Sequence, residues 1–333
     1  MKGQNTIKDV AREAHVAIST VSRVLNNSGY VSEETRKKVL QAVEQLSYQQ
    51  NNIARNLRQK NSNFIGLVVP DISNEFYSSL SKVIERELHK AKFHLFLGST
   101  EENETVENDI IDSMINNQVN GLIIIGSGEK INPRILNGNI PTVFFDKNID
   151  HQMPRNIVFV KSDNYLGARI ATETLLNKGC RRIAMIRTFH PSVPMEEREK
   201  AFIDTAKSYN LIRKSYKVYS VPISFQAALK KTEEIFASER FDGIFCAADI
   251  LAIGVIKALQ NLNLRIPEDV QVIGFDDIPL ATFITPTLST IHSDFEAIGC
   301  TIASNIIKLN NNQEAERVTI LPIRYIDRES TKV

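Results

Sequence analysis

Residues 6–26 read TIKDVAREAHVAISTVSRVLN, and this stretch decides how the N-terminal part of the chain folds. Thr6 is followed three residues later by an acid, which approximates a capping box and predicts a helix from Ile7. A break at residues 15–17 precedes a second predicted helix over residues 18–26. The pattern therefore predicts two short helices joined by a tight turn, with no strand between them.

The second predicted helix separates into two faces at about 100° per residue. The apolar face packs against the first helix and carries Val21, Val24 and Leu25, opposite Ile7, Val10 and Ala11. The other face carries Ile18, Ser19, Ser22, Arg23 and Asn26. Small polar groups beside one arginine suit a DNA major groove, because Ser and Asn bond phosphates and Arg pairs with guanine. A polar face alone is also ordinary for a small helical bundle.

Charge separates the first 60 residues from the rest of the chain. A third helix, with its N-cap at Ser32, follows the first two, and residues 59–63 form a polar linker. Residues 1–60 contain ten Lys/Arg and five Asp/Glu, a net charge of +5, which leaves −4 for the remainder. A basic segment on an acidic body favours a nucleic-acid module, although charge alone also fits a solvated surface.

From Phe64 onward, short apolar strands alternate with helices. The predicted strands lie at 65–69, 93–97, 122–125, 142–145, 183–186, 218–221, 243–246 and 270–275. Such alternation indicates parallel sheets covered on both faces. The predicted fold is a small all-α helix-turn-helix domain followed by two similar, doubly wound α/β lobes with a cleft between them.

The segment between these parts, residues 48–58, reads YQQNNIARNLR. Leu57 is a large apolar residue between Arg55 and Arg58. A leucine flanked by cations is what a minor-groove wedge requires, since the charges hold phosphates while the leucine opens a base step. The alternative is an ordinary surface helix.

The motifs TIKDVA at 6–11, TVSRVLN at 20–26 and Y-x-x-N-x-x-A-R-x-L at 48–57 resemble the lactose repressor/galactose repressor family. The resemblance covers essentially the whole chain. It implies a cytoplasmic, homodimeric repressor of a carbohydrate operon that binds near-palindromic operator DNA and a sugar effector, with ribose as the first expectation. The implied organisation is a helix-turn-helix domain at 1–48, a hinge helix and linker at 49–62, and an effector and dimerisation domain at 63–333. In that domain an N-lobe covers about 63–160 and a C-lobe about 161–290, and the last segments cross back between the lobes.

The resemblance also assigns the DNA contacts by position. It places Ile18, Ser19 and Arg23 at bases, Thr6, Thr20, Ser22 and Asn26 at the DNA backbone, and Ala54 and Leu57 in the minor groove. Two departures stand out. The family usually has Gly-Val-Ser where this chain has His15-Val16-Ala17, and Pro where it has Gln50. Losing a Ser N-cap costs about 1 kcal/mol.

The two lobes resemble the periplasmic sugar-binding proteins, as those of this repressor family do. Matching positions predict an effector site of Asn74, Phe76, Tyr77, Asp146, Lys147, Asp163, Arg198 and Asp276. Aromatic side chains cover the apolar face of a sugar ring, and charged groups bond its hydroxyls. Each position has a structural alternative: Asn74 as a helix cap, Arg198 in a surface ion pair, Asp276 as a turn cap. Ala248 stands where the family often has Asn, so one sugar contact is missing.

Other functions fit the sequence less well. Gly126-Ser127-Gly128 after a strand suggests a dinucleotide-dependent enzyme, but no third glycine follows at the required spacing. No catalytic or metal-binding constellation is evident, so we expect no cofactor and no metal. The first residues carry no secretory signal, and no apolar run approaches the ~18 residues of a membrane helix. Within the family, a nucleobase-responsive or corepressor-protein-dependent regulator is the alternative.

The hinge assignment predicts the effect of Leu57→Ala. If Leu57 opens a base step, the substitution weakens operator binding by a few kcal/mol. Fold and effector binding should be unchanged, because Leu57 belongs to neither predicted core. A gel-shift titration compares the two proteins, and equal operator affinity would show that Leu57 is a surface residue.

Overall fold

The computed structural model describes residues 5–48, 62–126, 131–147 and 153–332. The chain forms two compact units, residues 1–62 and residues 63–333. The predicted hinge contacts Ala54 and Leu57, and the Gln50 departure, lie outside the described residues. No helix among the described residues is long and apolar enough to cross a membrane.

The smaller unit contains three helices: α1 (Ile7–Glu13), α2 (Ile18–Leu25) and α3 (Glu33–Gln45). The capping box predicted at the start of α1 is present: Thr6 and Asp9 cap the helix reciprocally, and Asp9 Oδ2 accepts from Thr6 N at 2.9 Å and also from the Thr6 hydroxyl at 2.7 Å. Apolar residues from the three helices share one core: Val10, Ala11, Ala14, Val21, Val24, Val39 and Ala42.

The turn between α1 and α2 forms although residues 15–17 are His-Val-Ala rather than the Gly-Val-Ser usual in the family. His15 adopts a left-handed backbone conformation with φ of 51°, a region that His tolerates better than most residues. Ala17 occupies the N-cap of α2 and offers no side-chain hydrogen bond. The turn therefore forms, but the N-terminus of α2 lacks a side-chain cap.

The larger unit contains two six-stranded sheets. The first has the order β11-β5-β4-β3-β1-β2 and the second β12-β10-β9-β8-β6-β7. The strands are β1 (Phe64–Val69), β2 (His94–Ser99), β3 (Gly121–Ile125), β4 (Thr142–Phe145), β5 (Ile157–Ser162), β6 (Ile183–Thr188), β7 (Tyr216–Val221), β8 (Gly243–Cys246), β9 (Gln271–Asp276), β10 (Ser289–His292), β11 (Val318–Leu321) and β12 (Arg324–Ile326). All pairings are parallel except β10 with β12.

Helices flank the sheets and complete two doubly wound lobes. They are α4 (Glu75–Lys90), α5 (Glu104–Asn116), α6 (Pro133–Asn137), α7 (Asn164–Asn177), α8 (Val193–Ser208), α9 (Phe225–Ser238), α10 (Asp249–Asn261) and α11 (Phe295–Asn310). We call the lobe of the first sheet the N-lobe and that of the second sheet the C-lobe. Central strands such as β3 and β4 are buried along their whole length, which matches their unbroken apolar sequences.

The chain passes between the lobes three times, after β5, after β10 and after β11. Helix α11 and strand β11 return to the N-lobe, where Gly299 of α11 packs closely on Val83 of α4. Strand β12 then re-enters the C-lobe as its antiparallel edge. The sequence did not predict β5, β10, β11 or β12 as strands.

A buried carboxylate fixes the loop that follows β9. Asp249, the first residue of α10, accepts a hydrogen bond from Ile278 N at 2.9 Å and one from Thr290 Oγ1 at 2.6 Å. Its carboxylate fits because position 274 is glycine: a Cβ there would lie 2.0 Å from Asp249 Oδ1. Gly274 and Asp249 together position Asp276 at the end of β9.

This contact predicts the effect of Gly274→Ala. The added carbon displaces a buried, hydrogen-bonded carboxylate and should lower the free energy of unfolding by about 3 kcal/mol or more. Gly179→Ala is the matched control: φ is +96° there but no atom lies within 4 Å of the added carbon, so only backbone strain of about 1–2 kcal/mol applies. Urea unfolding of the full chain measures the free energy of unfolding of both variants. A larger decrease for Gly179→Ala than for Gly274→Ala would contradict this account.

Candidate functional site

A cleft of about 710 Å³, partly open to solvent, lies between the two lobes of the larger unit. The N-lobe contributes Pro70, Asn74, Phe76, Tyr77, Glu102, Ile125, Gly126, Phe145 and Asp146. The C-lobe contributes Thr188, His190, Ser192, Pro194, Met195, Arg198, Ile223, Ala248 and Asp276. Most of these positions follow the carboxyl ends of parallel strands, where α/β folds bind ligands.

Arg198 is the central charged group of the cleft. It lies on α8 and is 5% exposed. Its Nε and Nη2 donate to Asn164 Oδ1 at 3.0 and 2.8 Å, and its Nη1 donates to the Ala247 carbonyl. The guanidinium carbon lies 3.5 Å from the centroid of the Phe275 ring. These contacts rule out a surface ion pair for Arg198 and hold its charge at a fixed place in the cleft.

Two buried carboxylates share the cleft with Arg198. Asp276 Oδ1 lies 3.7 Å from Arg198 Nη2, and Asp146 Oδ1 accepts hydrogen bonds from Ser162 N at 2.9 Å and Asn164 Nδ2 at 3.2 Å. Burial raises the pKa of Asp146 to about 6 and that of Asp276 to about 7, although the positive charge of Arg198 lowers both. Both residues have positive φ, 53° and 111°. The cleft therefore presents two poorly solvated acceptors beside one fixed donor.

An aromatic wall covers the N-lobe side. Phe76 lies edge-on to Tyr77 with ring centroids 5.1 Å apart, and stacks with Phe145 at 6.4 Å. The pKa of Tyr77 is raised by burial and by the negative charges of Asp276 and Glu102. Apolar rings facing fixed hydrogen-bonding groups suit a ring-shaped ligand that carries hydroxyls.

Two of the predicted effector residues, Lys147 and Asp163, do not line the cleft. Lys147 follows Asp146 in sequence, but it is 5% exposed, does not line the cleft, and places its Nζ 5.9 Å from the centroid of the Phe144 ring. Burial lowers its pKa. Asp163 instead caps α7, where its Oδ1 accepts from Leu166 N at 3.0 Å. The neighbouring Asn164 does not line the cleft either, but it is hydrogen-bonded to both Arg198 and Asp146, which do.

Asn74 and Ala248 have structural roles as well as places in the cleft. Asn74 Oδ1 accepts from Phe76 N at 3.0 Å and so caps α4, the alternative that the sequence raised, yet Asn74 also lines the cleft. Ala248 is the N-cap of α10 without a side-chain hydrogen bond, and its methyl group adds apolar surface to the cleft lining. The sequence did not predict Glu102, Thr188, His190 or Ser192: Thr188 ends β6, and the other three lie in loops without a local pattern.

In the smaller unit, the predicted DNA-reading side of α2 is open to solvent. Ser19, Arg23 and Asn26 are exposed and Ile18 is 41% exposed, while Thr20 and Ser22 are half-buried. Thr6 is exposed at the start of α1. Asn26 Nδ2 donates to Ser22 Oγ at 3.2 Å, so these two residues form one polar group. The fold thus presents the predicted polar face and buries the apolar one.

Comparison with known proteins agrees with both parts of this architecture. Residues 6–51 match the model of bacterial regulatory proteins of the lacI family, and residues 172–331 match that of the periplasmic binding protein-like domain. The chain is 34% identical over 331 residues to the ribose operon repressor of Halalkalibacterium halodurans, an alignment covering 98% of this chain and 97% of that protein. The chain belongs to the lacI family.

Solved structures of this family share the fold. The lac repressor dimer bound to operator and the anti-inducer ONPF has a TM-score of 0.87 and 24% identity, and the match covers 99% of this chain and 100% of that one. A lacI-family regulator from Enterococcus faecium with bound ribose has a TM-score of 0.72 and 26% identity, covering 80% of this chain and 98% of that one. This lacI-family chain is a DNA-binding transcription regulator, and the dinucleotide-dependent enzyme alternative is discarded.

The raised pKa of Asp276 in this lacI-family regulator predicts a pH-dependent stability. Above pH 7 the folded chain holds a buried carboxylate that the unfolded chain solvates. As the pH falls from about 7 toward 4, the folded state takes up the proton first, so stability rises. Asp276→Asn should therefore raise the free energy of unfolding at pH 8 by ~1 kcal/mol or more, and the gain should shrink by pH 5.

Asp277→Asn is the matched control. Asp277 accepts hydrogen bonds from Arg328 Nη2 at 2.6 Å and His292 Nδ1 at 2.7 Å, so its amide variant should lose stability at pH 8. Urea unfolding of the ligand-free chain at pH 5 and 8 measures both variants. If Asp276→Asn is the less stable protein at pH 8, burial does not dominate at Asp276.

Proposed function

We propose that this regulator is a cytoplasmic repressor of a carbohydrate operon, controlled by a monosaccharide, with ribose as the effector. The observation that carries the proposal is the cleft itself. Fixed Arg198, two partly desolvated carboxylates and an aromatic wall suit a ligand with several hydroxyls and an apolar ring face. The names of the Halalkalibacterium relative and the ribose-bound Enterococcus structure support the same ligand class.

The proposed DNA complex is a homodimer on a near-palindromic operator. One helix-turn-helix covers one half-site, so a two-fold operator requires two copies of the chain. Exposed apolar side chains support a partner surface on the larger unit: Phe96 and Leu97 on the edge strand β2, and Phe283 at 80% exposed. Ile18, Ser19 and Arg23 of each copy would contact bases, while Thr6, Thr20, Ser22 and Asn26 would contact the DNA backbone.

The proposed control rests on closing the cleft. A ligand that contacts both lobes stabilises the arrangement in which they lie together, and only its differential affinity for the two arrangements shifts the equilibrium. Asp146 belongs to the N-lobe, whereas Arg198 and Asp276 belong to the C-lobe. A sugar bonded to these three groups would therefore join the lobes. The resulting lobe movement would separate the paired hinge segments and release the operator.

Arg198→Ala tests this assignment. The variant should bind operator within about twofold of the parent, and it should need more than ~10-fold more ribose for release, because a charged hydrogen bond contributes about 1.5–3 kcal/mol. Arg169→Ala is the control: Arg169 lies on α7, is 49% exposed and pairs only with Glu173 among the described residues. Gel shifts with and without ribose measure the operator affinity and the ribose-dependent release of both variants.

A thermal-shift panel of pentoses, hexoses, disaccharides and purines identifies the ligand independently. A parent protein that ribose neither stabilises nor releases from DNA would overturn the ribose assignment. Stabilisation by a purine would favour the nucleobase-responsive alternative. Operator binding that requires a second protein would favour the corepressor-dependent alternative. If ribose releases the Arg198→Ala variant from operator DNA at the same concentration as the parent, Arg198 does not contact the ligand.

A further inference from the structure

The cleft of the larger unit carries more negative than positive charge. Among its described lining residues the acids are Glu102, Asp146 and Asp276, and Arg198 supplies the positive charge. With histidine counted as neutral, three ionised acids and one arginine give a net charge of −2. Residues 127–130 and 148–152 are not described, and their sequences contain two acids and one lysine, so they add no net positive charge. The described lining therefore presents a ligand with an anionic surface.

The hydrogen-bond donors of Arg198 are largely occupied by the protein. A guanidinium binds a phosphate best with two parallel N–H bonds from one edge. The Nε–Nη2 edge donates instead to Asn164 Oδ1, at 3.0 and 2.8 Å. On the other edge, Nη1 donates to the Ala247 carbonyl and Nη2 lies 3.7 Å from Asp276 Oδ1. Arg198 can therefore donate to a hydroxyl, but it has no open edge for an anionic group.

The other basic side chains near the cleft are also turned to other partners. His190 Nε2 lies 3.0 Å from Glu102 Oε2, so the imidazole already faces a carboxylate. Lys147 does not line the cleft, and its Nζ lies 5.9 Å from the centroid of the Phe144 ring. Neither side chain offsets the negative charge that a ligand meets.

Three helices begin at the cleft, and a helix N-terminus can itself bind an anion. At α4, the side chain of Asn74 already accepts from Phe76 N. At α8, Pro194 has no backbone N–H, and Glu196 lies in the first turn. At α10, the first residue is the buried acid Asp249. Each N-terminus thus has a protein group where an anionic ligand would bind.

Hydrogen-bond acceptors, by contrast, remain open in the cleft. No described residue donates a hydrogen bond to the carboxylate of Asp276. Asp146 accepts from Ser162 N and Asn164 Nδ2, and both bonds end on Oδ1. A sugar hydroxyl donates to such oxygens, whereas an ionised phosphate has only acceptor oxygens. The site therefore matches a ligand rich in donors and opposes one that carries an anionic group.

We propose that the cleft selects its effector by charge: it binds an unphosphorylated sugar and rejects the phosphorylated form of the same sugar. Glu102, Asp146 and Asp276 set this selectivity. The choice between the two sugar forms rests on the proposed function, because it takes the ligand to be a sugar. The negative charge of the cleft does not. Phosphorylation of the sugar would end its recognition, so the regulator would respond to sugar that reaches it unmodified.

Thiol modification tests the charge of the cleft without any ligand. Ser192 lines the cleft, so Ser192→Cys places a thiol there. The variant is made with Cys300→Ala, which removes the partly exposed native thiol, since Cys180 and Cys246 are buried. The full chain is treated with the cationic 2-trimethylammonioethyl and the anionic 2-sulfonatoethyl methanethiosulfonates, and both rates are measured.

Ser208→Cys in the same background is the matched control, because Ser208 is exposed at the other end of the same helix, α8. The ratio of cationic to anionic rates should be ~10-fold or more higher for Ser192→Cys than for Ser208→Cys. An equal or lower ratio for Ser192→Cys would overturn charge selection.

A ligand series tests the choice between sugar forms. Ribose, ribose 5-sulfate and ribose 5-phosphate are titrated calorimetrically at pH 8, above the pKa values of about 6 and 7 of Asp146 and Asp276. Sulfate and phosphate are similar in size but differ by about one charge at this pH. Ribose should bind ~100-fold or more tighter than ribose 5-phosphate, with the sulfate between them. Equal binding of sulfate and phosphate esters would show exclusion by size, and tighter binding of the phosphate would also overturn the proposal.

Glu102→Gln removes one of the three charges at nearly constant volume. It should lower the preference for ribose over ribose 5-phosphate by ~3-fold or more. Glu101→Gln is the control, because Glu101 has a similar φ, 52° against 58°, but is exposed and does not line the cleft. An unchanged preference in Glu102→Gln would remove Glu102 from the selectivity. If the parent binds no ribose, the ribose proposal fails, and the thiol rates still decide whether the cleft selects by charge.

Discussion

The buried guanidinium of Arg198 is the interaction on which the sensing unit depends. An isolated charge in a protein interior costs several kcal/mol unless it is paired and hydrogen-bonded. Arg198 meets that requirement through the Asn164 amide, the Ala247 carbonyl, the Phe275 ring and Asp276. These partners come from α7, the end of β8 and β9, so one side chain fixes three elements of the C-lobe. Through Asn164, Arg198 is also connected to Asp146 of the N-lobe.

The carboxylates of the cleft show the cost of building a site for polar ligands. Burial raises the pKa values of Asp146, Asp276 and the nearby Asp249. The negative charge of Asp146 further raises the pKa of Asp276, and that of Asp276 further raises the pKa of Asp249, while the positive charge of Arg198 lowers the pKa values of Asp146 and Asp276. A ligand whose hydroxyls donated hydrogen bonds to these oxygens would offset part of that desolvation cost.

Part of this organisation could be predicted from the sequence. The helix-turn-helix was predicted correctly because a capping box, an apolar stripe and a polar face all lie within residues 6–26, and central strands such as β3 appear as unbroken apolar runs. Strand β11 is half-exposed and short, and its pairing with β5 joins residues far apart in sequence, so no local pattern reveals it. Lys147 and Asp163 were placed in the cleft by position in the chain, but neither lines it, whereas Asp146, which was also predicted, does. Asn164 was not predicted because its contribution, hydrogen bonds to Asp146 and Arg198, depends on residues distant in sequence.

The three passages of the chain between the lobes have a consequence for how the protein is made. The sheet of the N-lobe is complete only when β11 joins it, and α11 must cover α4, although both are synthesised near the end of the chain. The three helices of residues 7–45, by contrast, make contacts that are close in sequence and form a core among themselves. Because local contacts form fast and distant ones wait for the chain that supplies them, the DNA-reading unit is finished on the ribosome while the sensor still lacks strands in both lobes. The fold of the larger unit therefore depends on residues 295–326, whereas the three helices of residues 7–45 do not need them.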